Sequence, residues 1–178
     1  DETAMGDYPV EAVETMARIA REIERDETHF KPMIDMDMVS VNHEITAQLA
    51  RSAVRASTNL PVKYVVLDTK TGRTGRYLAA FRGRKTVMAV CYRLHAQRIL
   101  ALSYGVVPIL RTQELSDKYH FLVDALEFID QYRKLQDDDL MAIVGGSFGP
   151  DGGASYLELA DVRGIRRRNE MIAAQNKR

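Results

Sequence analysis

The chain predicts an α/β fold, a three-layer α/β/α sandwich built on a five-stranded, mostly parallel sheet whose last strand is antiparallel. Three observations carry this. Four short apolar runs rich in β-branched residues, at 64–67, 87–91, 106–110 and 140–144, read as strands buried on both faces. Helical stripes lie between them, and strands alternating with helices make a parallel sheet covered on both sides. A fifth run, 156–162, alternates apolar and polar residues and follows its predecessor after only the loop 145–154. A parallel crossover needs roughly a dozen residues or more, so this strand returns antiparallel at a sheet edge.

The elements follow in order. Pro9 suits the first position of a helix and Glu11 its first turn, and Val10, Val13, Met16 or Ala17, Ala20 and Ile23 then share one face. Charges and Pro32 break the pattern and mark a linker. From there Val41, Ile45, Leu49 and Ala53 form a stripe that Ser40 can cap. A short helix is predicted near 76–81 and another near 94–104, ended by Gly105. A longer one follows Thr112, with Leu115, Tyr119, Leu122, Leu126 and Ile129 at three-four spacing. The organisation expected is a terminal loop and helix over 1–25, a linker over 26–38, the α/β domain over 39–165 and a basic tail over 166–178.

With 178 residues, zero formal net charge, 28% charged and 46% hydrophobic residues, the chain holds one full core and a small appendage, not a disordered polyelectrolyte. No apolar run approaches the roughly 20 residues that cross a bilayer, and the acidic start is unlike a signal peptide, so a cytoplasmic protein without a membrane partner is expected. The single cysteine, Cys91, lies in a predicted strand and reads as a buried, inert thiol. Charge is unevenly placed. Residues 1–40 hold eleven acids and four bases, whereas 62–98 hold nine bases and Asp68 as their one acid, so the middle of the chain attracts anions.

The chemistry-bearing motif is TKTGRT, Thr69, Lys70, Thr71, Gly72, Arg73 and Thr74, between the first strand and the next helix. Hydroxyls, two cationic side chains and several backbone N–H groups meet there at a helix N-terminus, which is what a phosphate needs. An ordinary turn with a threonine cap is the competing reading, and the Gly-Lys-Ser/Thr ending of a Walker A loop is absent. If the fourth strand pairs with the first, their carboxyl ends form the ligand crevice of a doubly wound sheet, with the loops at Thr69 and Gly145 facing each other. The remaining constellations are weak. His29, His43, His95 and His120 lack zinc spacing, Cys91 with His95 lacks an orienting carboxylate, and residues 137–139 read as a turn. The basic residues after Val162 lack the interleaved aromatics of a nucleic-acid site and read as a solvated tail.

Beyond these readings, DETAMGDYPVEAV resembles the G-E-T-A-x-G-x-Y-P-x-E-A-V segment of pyruvate kinases, with Asp1 where the family has glycine. The stretch VVLDTKTGRTGRYLAAFR, then KTVMAVCYRLHAQRILALSYGVVPIL, is similar to the carboxy-terminal domain of the same family, with its T-x-S/T-G-x-T/S loop and its G-V/I-x-P-V/I-L strand. The resemblance covers about 160 residues in collinear order. It implies the regulatory domain of a homotetrameric glycolytic phosphotransferase, preceded by the last helix of a catalytic barrel otherwise absent from this chain. No catalytic residue and no cofactor are expected here, and Mg²⁺ and K⁺ are implied for the intact enzyme.

By the same resemblance, Thr69, Lys70, Thr71, Gly72, Arg73 and Thr74 hold a phosphate of an allosteric activator. The second half of the effector pocket falls on the loop containing Gly146, Ser147, Phe148, Gly149, Gly152 and Gly153. That loop departs from the family's sugar-bisphosphate pattern, because no Lys or Arg lies between Leu140 and Asp161, so a monophosphate is favoured. The alternative function is a freestanding phosphate sensor or oligomerisation module without an active site.

Overall fold

The structure, a computed structural model, describes residues 2–25, 44–111, 120–146 and 153–175. The linker residues 26–38, the cap Ser40, and Val41, Leu115 and Tyr119 of the predicted stripes lie outside that set. The chain divides into two compact units, Asp1–Lys31 and Pro32–Arg178.

The first unit holds a one-turn helix α1 (Glu2–Met5), where the sequence reads as loop, and α2 (Pro9–Arg25). Proline at the first position and Glu11 in the first turn start α2 as expected. None of its residues is buried, and Val10, Val13, Met16, Ile19 and Ile23 are each at least half exposed.

The second unit runs α3 (Glu44–Asn59), β1 (Val62–Thr69), α4 (Arg73–Ala80), β2 (Val87–Cys91), α5 (Leu94–Leu100), β3 (Val106–Leu110), α6 (His120–Tyr132), β4 (Leu140–Gly145), β5 (Tyr156–Asp161) and α7 (Val162–Gln175). The five strands form one sheet in the order β3-β2-β1-β4-β5. β1 pairs parallel with β2 and β4, β2 pairs parallel with β3, and β5 pairs antiparallel with β4 at the edge.

Alternation along the strands splits the core in two. Val65 and Leu67 of β1, Ala89 and Cys91 of β2, and Ala142 and Val144 of β4 face α3, α4 and α5. Tyr64, Val66, Met88, Val90, Met141 and Ile143 face α6 and α7. Each buried Val, Leu or Ile contributes about 1.5–3 kcal/mol, so a central strand buried on both sides anchors the domain.

Three further details differ from the sequence reading. The buried residues of α3 are Thr46, Ala47, Ala50, Ala53 and Ser57, while Ile45 is 70% exposed, because small residues let the helix sit close to the sheet. α5 stops at Leu100, where the chain tightens into three-residue turns: Leu102 N–H donates to Ile99 O at 3.2 Å and Ser103 N–H to Leu100 O at 3.0 Å.

Val162, read as the last residue of the fifth strand, instead starts a packed helix, α7, which takes up the residues after it that read as a solvated tail; Val162 and Ile165 are 0% and 1% exposed. Asp161 caps it, accepting from Gly164 N–H at 2.6 Å. The arginines turn to local acids, Arg166 to Asp130 (3.0 Å) and Asp137 (2.8 Å), and Arg168 to Glu158. The run of arginines hid the buried Val162 and Ile165.

A pH dependence follows from the start of β1. Burial works to raise the pKa of Asp139, but a hydrogen bond from Lys63 Nζ at 2.9 Å, the Gln136 N–H at 2.8 Å and the Lys63 charge outweigh it and hold the carboxyl below its ordinary value. A depressed folded pKa gives stability that is full above the unfolded value of about 3.9 and is lost as pH falls through the folded value. In urea unfolding from pH 2 to 6, the advantage of the native protein over Lys63→Met is expected to be constant above about pH 4 and to shrink below it; a gap independent of pH would refute this coupling.

Candidate functional site

β1 delivers Thr69 to the carboxyl edge of the sheet, fully buried, and the chain turns at once into α4. The turn is made by the sequence itself: Thr69 Oγ1 accepts from Gly72 N–H at 2.9 Å, and Thr71 Oγ1 accepts from Arg73 N–H at 3.4 Å. Gly72 stands at φ 80°, ψ 0° as the residue before the helix, a left-handed conformation that costs other residues about 1 kcal/mol or more. α4 therefore starts three residues earlier than the sequence reading placed it. Its first helical bond runs from Arg76 N–H to Gly72 O at 3.0 Å, and the amides of Arg73, Thr74 and Gly75 have no helical carbonyl behind them.

The six predicted residues thus share one turn but play different parts. Thr69 folds the loop and its oxygen is used internally. Thr71 is exposed, and Lys70 and Arg73 are half-buried. Thr74 is 1% exposed, and its Oγ1 has no hydrogen-bond partner among the described residues. Leaving a buried hydroxyl unmet costs about 1–3 kcal/mol, so a group supplied from outside the chain would be welcome there. Asp68, the acid beside the loop, is buried at the end of β1.

The second loop leaves the neighbouring strand. β4 pairs with β1 in parallel, Leu67 opposite Val144, so the chain after Gly145 emerges at the same edge as the chain after Thr69. Strand order reverses between β1 and β4, which makes this edge the crevice of the sheet. Gly146 follows directly at φ 124°, and Gly153 returns against α3, where a Cβ would meet Thr46 Oγ1 at 2.7 Å. Ser147, Phe148, Gly149 and Gly152 lie outside the described residues.

Other candidates fall away. Cys91 is fully buried, its thiol donates to Ala89 O at 3.4 Å, and burial pushes its pKa up to about 12, so no thiolate nucleophile is available. Among the described residues no group of three or more His, Cys, Asp or Glu side chains could hold a metal ion. Arg111, past β3, contacts buried Asp124 and lies 3.9 Å from Glu127; β2 separates its strand from β1. A cleft of about 400 Å³ surrounds that pair, and another of about 360 Å³ lies between Tyr64, Met88, Phe128 and Tyr132. Neither includes the Thr69 loop. Nothing in the sequence marked Arg111 and Asp124 as a pair.

Comparison with known proteins bears on the same segment. Residues 47–160, which contain both loops, match the family described as pyruvate kinase, alpha/beta domain. The chain belongs to this family. It is 30% identical over 185 residues to the pyruvate kinase of Bacillus licheniformis, an alignment covering 98% of this chain and 31% of that protein. It is 31% identical over 164 residues to the pyruvate kinase of Methylorubrum extorquens, covering 90% and 34%, and 28% identical over 164 residues to that of Borreliella burgdorferi, also 90% and 34%. The chain spans about a third of the length of the curated relatives it matches. The mostly parallel sheet with its antiparallel last strand is the α/β architecture expected for this pyruvate kinase domain. No helix among the described residues is long and apolar enough to cross a membrane.

Proposed function

We propose that this chain is the carboxy-terminal regulatory and oligomerisation domain of a pyruvate kinase, and that its 69–74 loop holds the phosphate of an activating metabolite. The intact protein would transfer the phosphoryl group of phosphoenolpyruvate to ADP, giving pyruvate and ATP in glycolysis. It would work in the cytoplasm as a homotetramer, with Mg²⁺ and K⁺ bound by residues outside this chain. The observation that carries the reading is the meeting at the sheet crevice of the α4 N-terminus, the buried Thr74 hydroxyl and the Lys70 and Arg73 charges. The family match supports the enzyme class. The apolar stripe of α2, exposed in this chain, would be covered by the catalytic part of the same protein.

The chain's own residues supply binding and no phosphoryl-transfer step. Amides and hydroxyls orient the anion, and the α4 N-terminus and the two cations offset its charge. Because residues 140–161 contain no Lys or Arg, a second phosphate would find no cation on that loop.

The test is phosphoenolpyruvate-dependent ATP formation by the full-length protein and by the 178-residue chain, with dissociation constants for matched sugar mono- and bisphosphates. Turnover by the full-length protein alone is expected, with monophosphates binding at least as well as bisphosphates. Turnover by the 178-residue chain would overturn the reading, and a clear bisphosphate preference would overturn the monophosphate assignment. Phosphate binding by a full-length protein that forms no ATP would favour a freestanding sensor.

A further inference from the structure

We propose that Leu100 is the positioning residue of the 69–74 loop, a side chain on α5 that fixes where the loop's amides point. The inference rests on the anion-binding reading of that loop. Leu100 ends α5 and is 0% exposed. A Cβ placed on Gly72 would lie 3.4 Å from Leu100 Cγ and 3.8 Å from Ala96 O. One placed on Gly75 would lie 2.8 and 2.9 Å from the two Leu100 Cδ atoms. The branched end of Leu100 thus fills the space that side chains at 72 and 75 would need.

The two glycines differ in what requires them. Gly72 needs its left-handed φ whatever its neighbours do. Gly75 sits inside α4 without a positive φ, where glycine costs a helix about 1 kcal/mol relative to alanine. Leu100 accounts for it: only a bare Cα lets α5 come this close. A second tie fixes the same junction, Tyr92 N–H donating to Thr69 O at 3.2 Å. The amides of residues 72–75 are therefore held between the exit of β2 and the end of α5. A site that must meet a tetrahedral anion loses affinity when its donors drift by even about 1 Å.

The test uses inorganic phosphate as probe and three variants of the intact chain. Leu100→Ala, or the milder Leu100→Val if the first does not fold, is expected to raise the phosphate dissociation constant by roughly tenfold or more. Leu122→Ala removes an equally large side chain, 1% exposed on the other face of the sheet, and should leave that constant within about twofold. Adding Gly75→Ala to Leu100→Ala puts a methyl where the Cδ atoms were and should restore part of the loss. Equal weakening by Leu100→Ala and Leu122→Ala, or none by the former, would overturn the proposal. If the native chain binds no phosphate, the anion reading fails and amide exchange at residues 72–76 judges the positioning role: faster exchange in Leu100→Ala supports it, unchanged exchange refutes it.

Discussion

Gly146→Ala is expected to destabilise the domain by at least about 3 kcal/mol, a large share of the ~5–15 kcal/mol that holds a domain together. The backbone at Gly146 has φ 124°, a region that L-residues avoid at a cost of about 1–3 kcal/mol. A Cβ there would also lie 2.1 Å from Ser155 Oγ and 2.4 Å from Ser155 N. That nitrogen donates to Gly145 O at 2.8 Å, the bond that closes the β4–β5 connection, and losing it adds about 1 kcal/mol. Gly105→Ala is the control, since φ is 68° there but nothing lies within 4 Å of the added carbon. It should cost about 1 kcal/mol. Urea unfolding of the two variants separates dihedral strain from overlap, and equal losses would contradict the close approach of the two chain segments.

Thr71→Asp is expected to move stability and binding in opposite directions. A carboxylate at 71 would accept the Arg73 N–H that the threonine oxygen now meets at a long 3.4 Å, and a negative charge at a helix N-terminus contributes about 0.3–1 kcal/mol. The same charge sits where the phosphate is proposed to lie. At 4–5 Å and an effective dielectric constant near 20 the repulsion is on the order of 3 kcal/mol, so phosphate affinity should fall roughly a hundredfold. In the full-length protein, activation by phosphorylated metabolites should vanish while basal turnover stays near normal. Thr71→Asn, isosteric and neutral, should retain most of the affinity. A variant that is more stable yet binds phosphate as the native protein does would show that the anion sits elsewhere.

Much of the fold was legible because its signals are local. Strands buried on both faces must be continuous apolar runs, and 87–91 and 106–110 coincide with β2 and β3 to the residue. The antiparallel return of β5 followed from loop length alone. The TKTGRT turn was equally legible, since Thr69 and Gly72 are the residue types that such a turn uses.

What was missed depends on partners far away in sequence. α3 buries its alanines and exposes Ile45, a choice set by how closely the helix must approach the sheet. α7 was hidden because Val162 and Ile165, the buried apolar residues of its first turns, stand amid arginines, and Arg166 and Arg168 are held by Asp130, Asp137 and Glu158, which other elements supply.

The sequence by itself determined the alternation of strands and helices, the antiparallel end of the sheet and the threonine–glycine turn after β1, since each rests on periodicity, loop length or side chains within a few residues. Tertiary structure alone decided that the turn after β1 shares an edge with the one after β4, that Leu100 rather than solvent fills the space beside Gly75, and that Arg111 pairs with Asp124. These are contacts between segments brought together by strand order and close packing, and no local pattern encodes their distances.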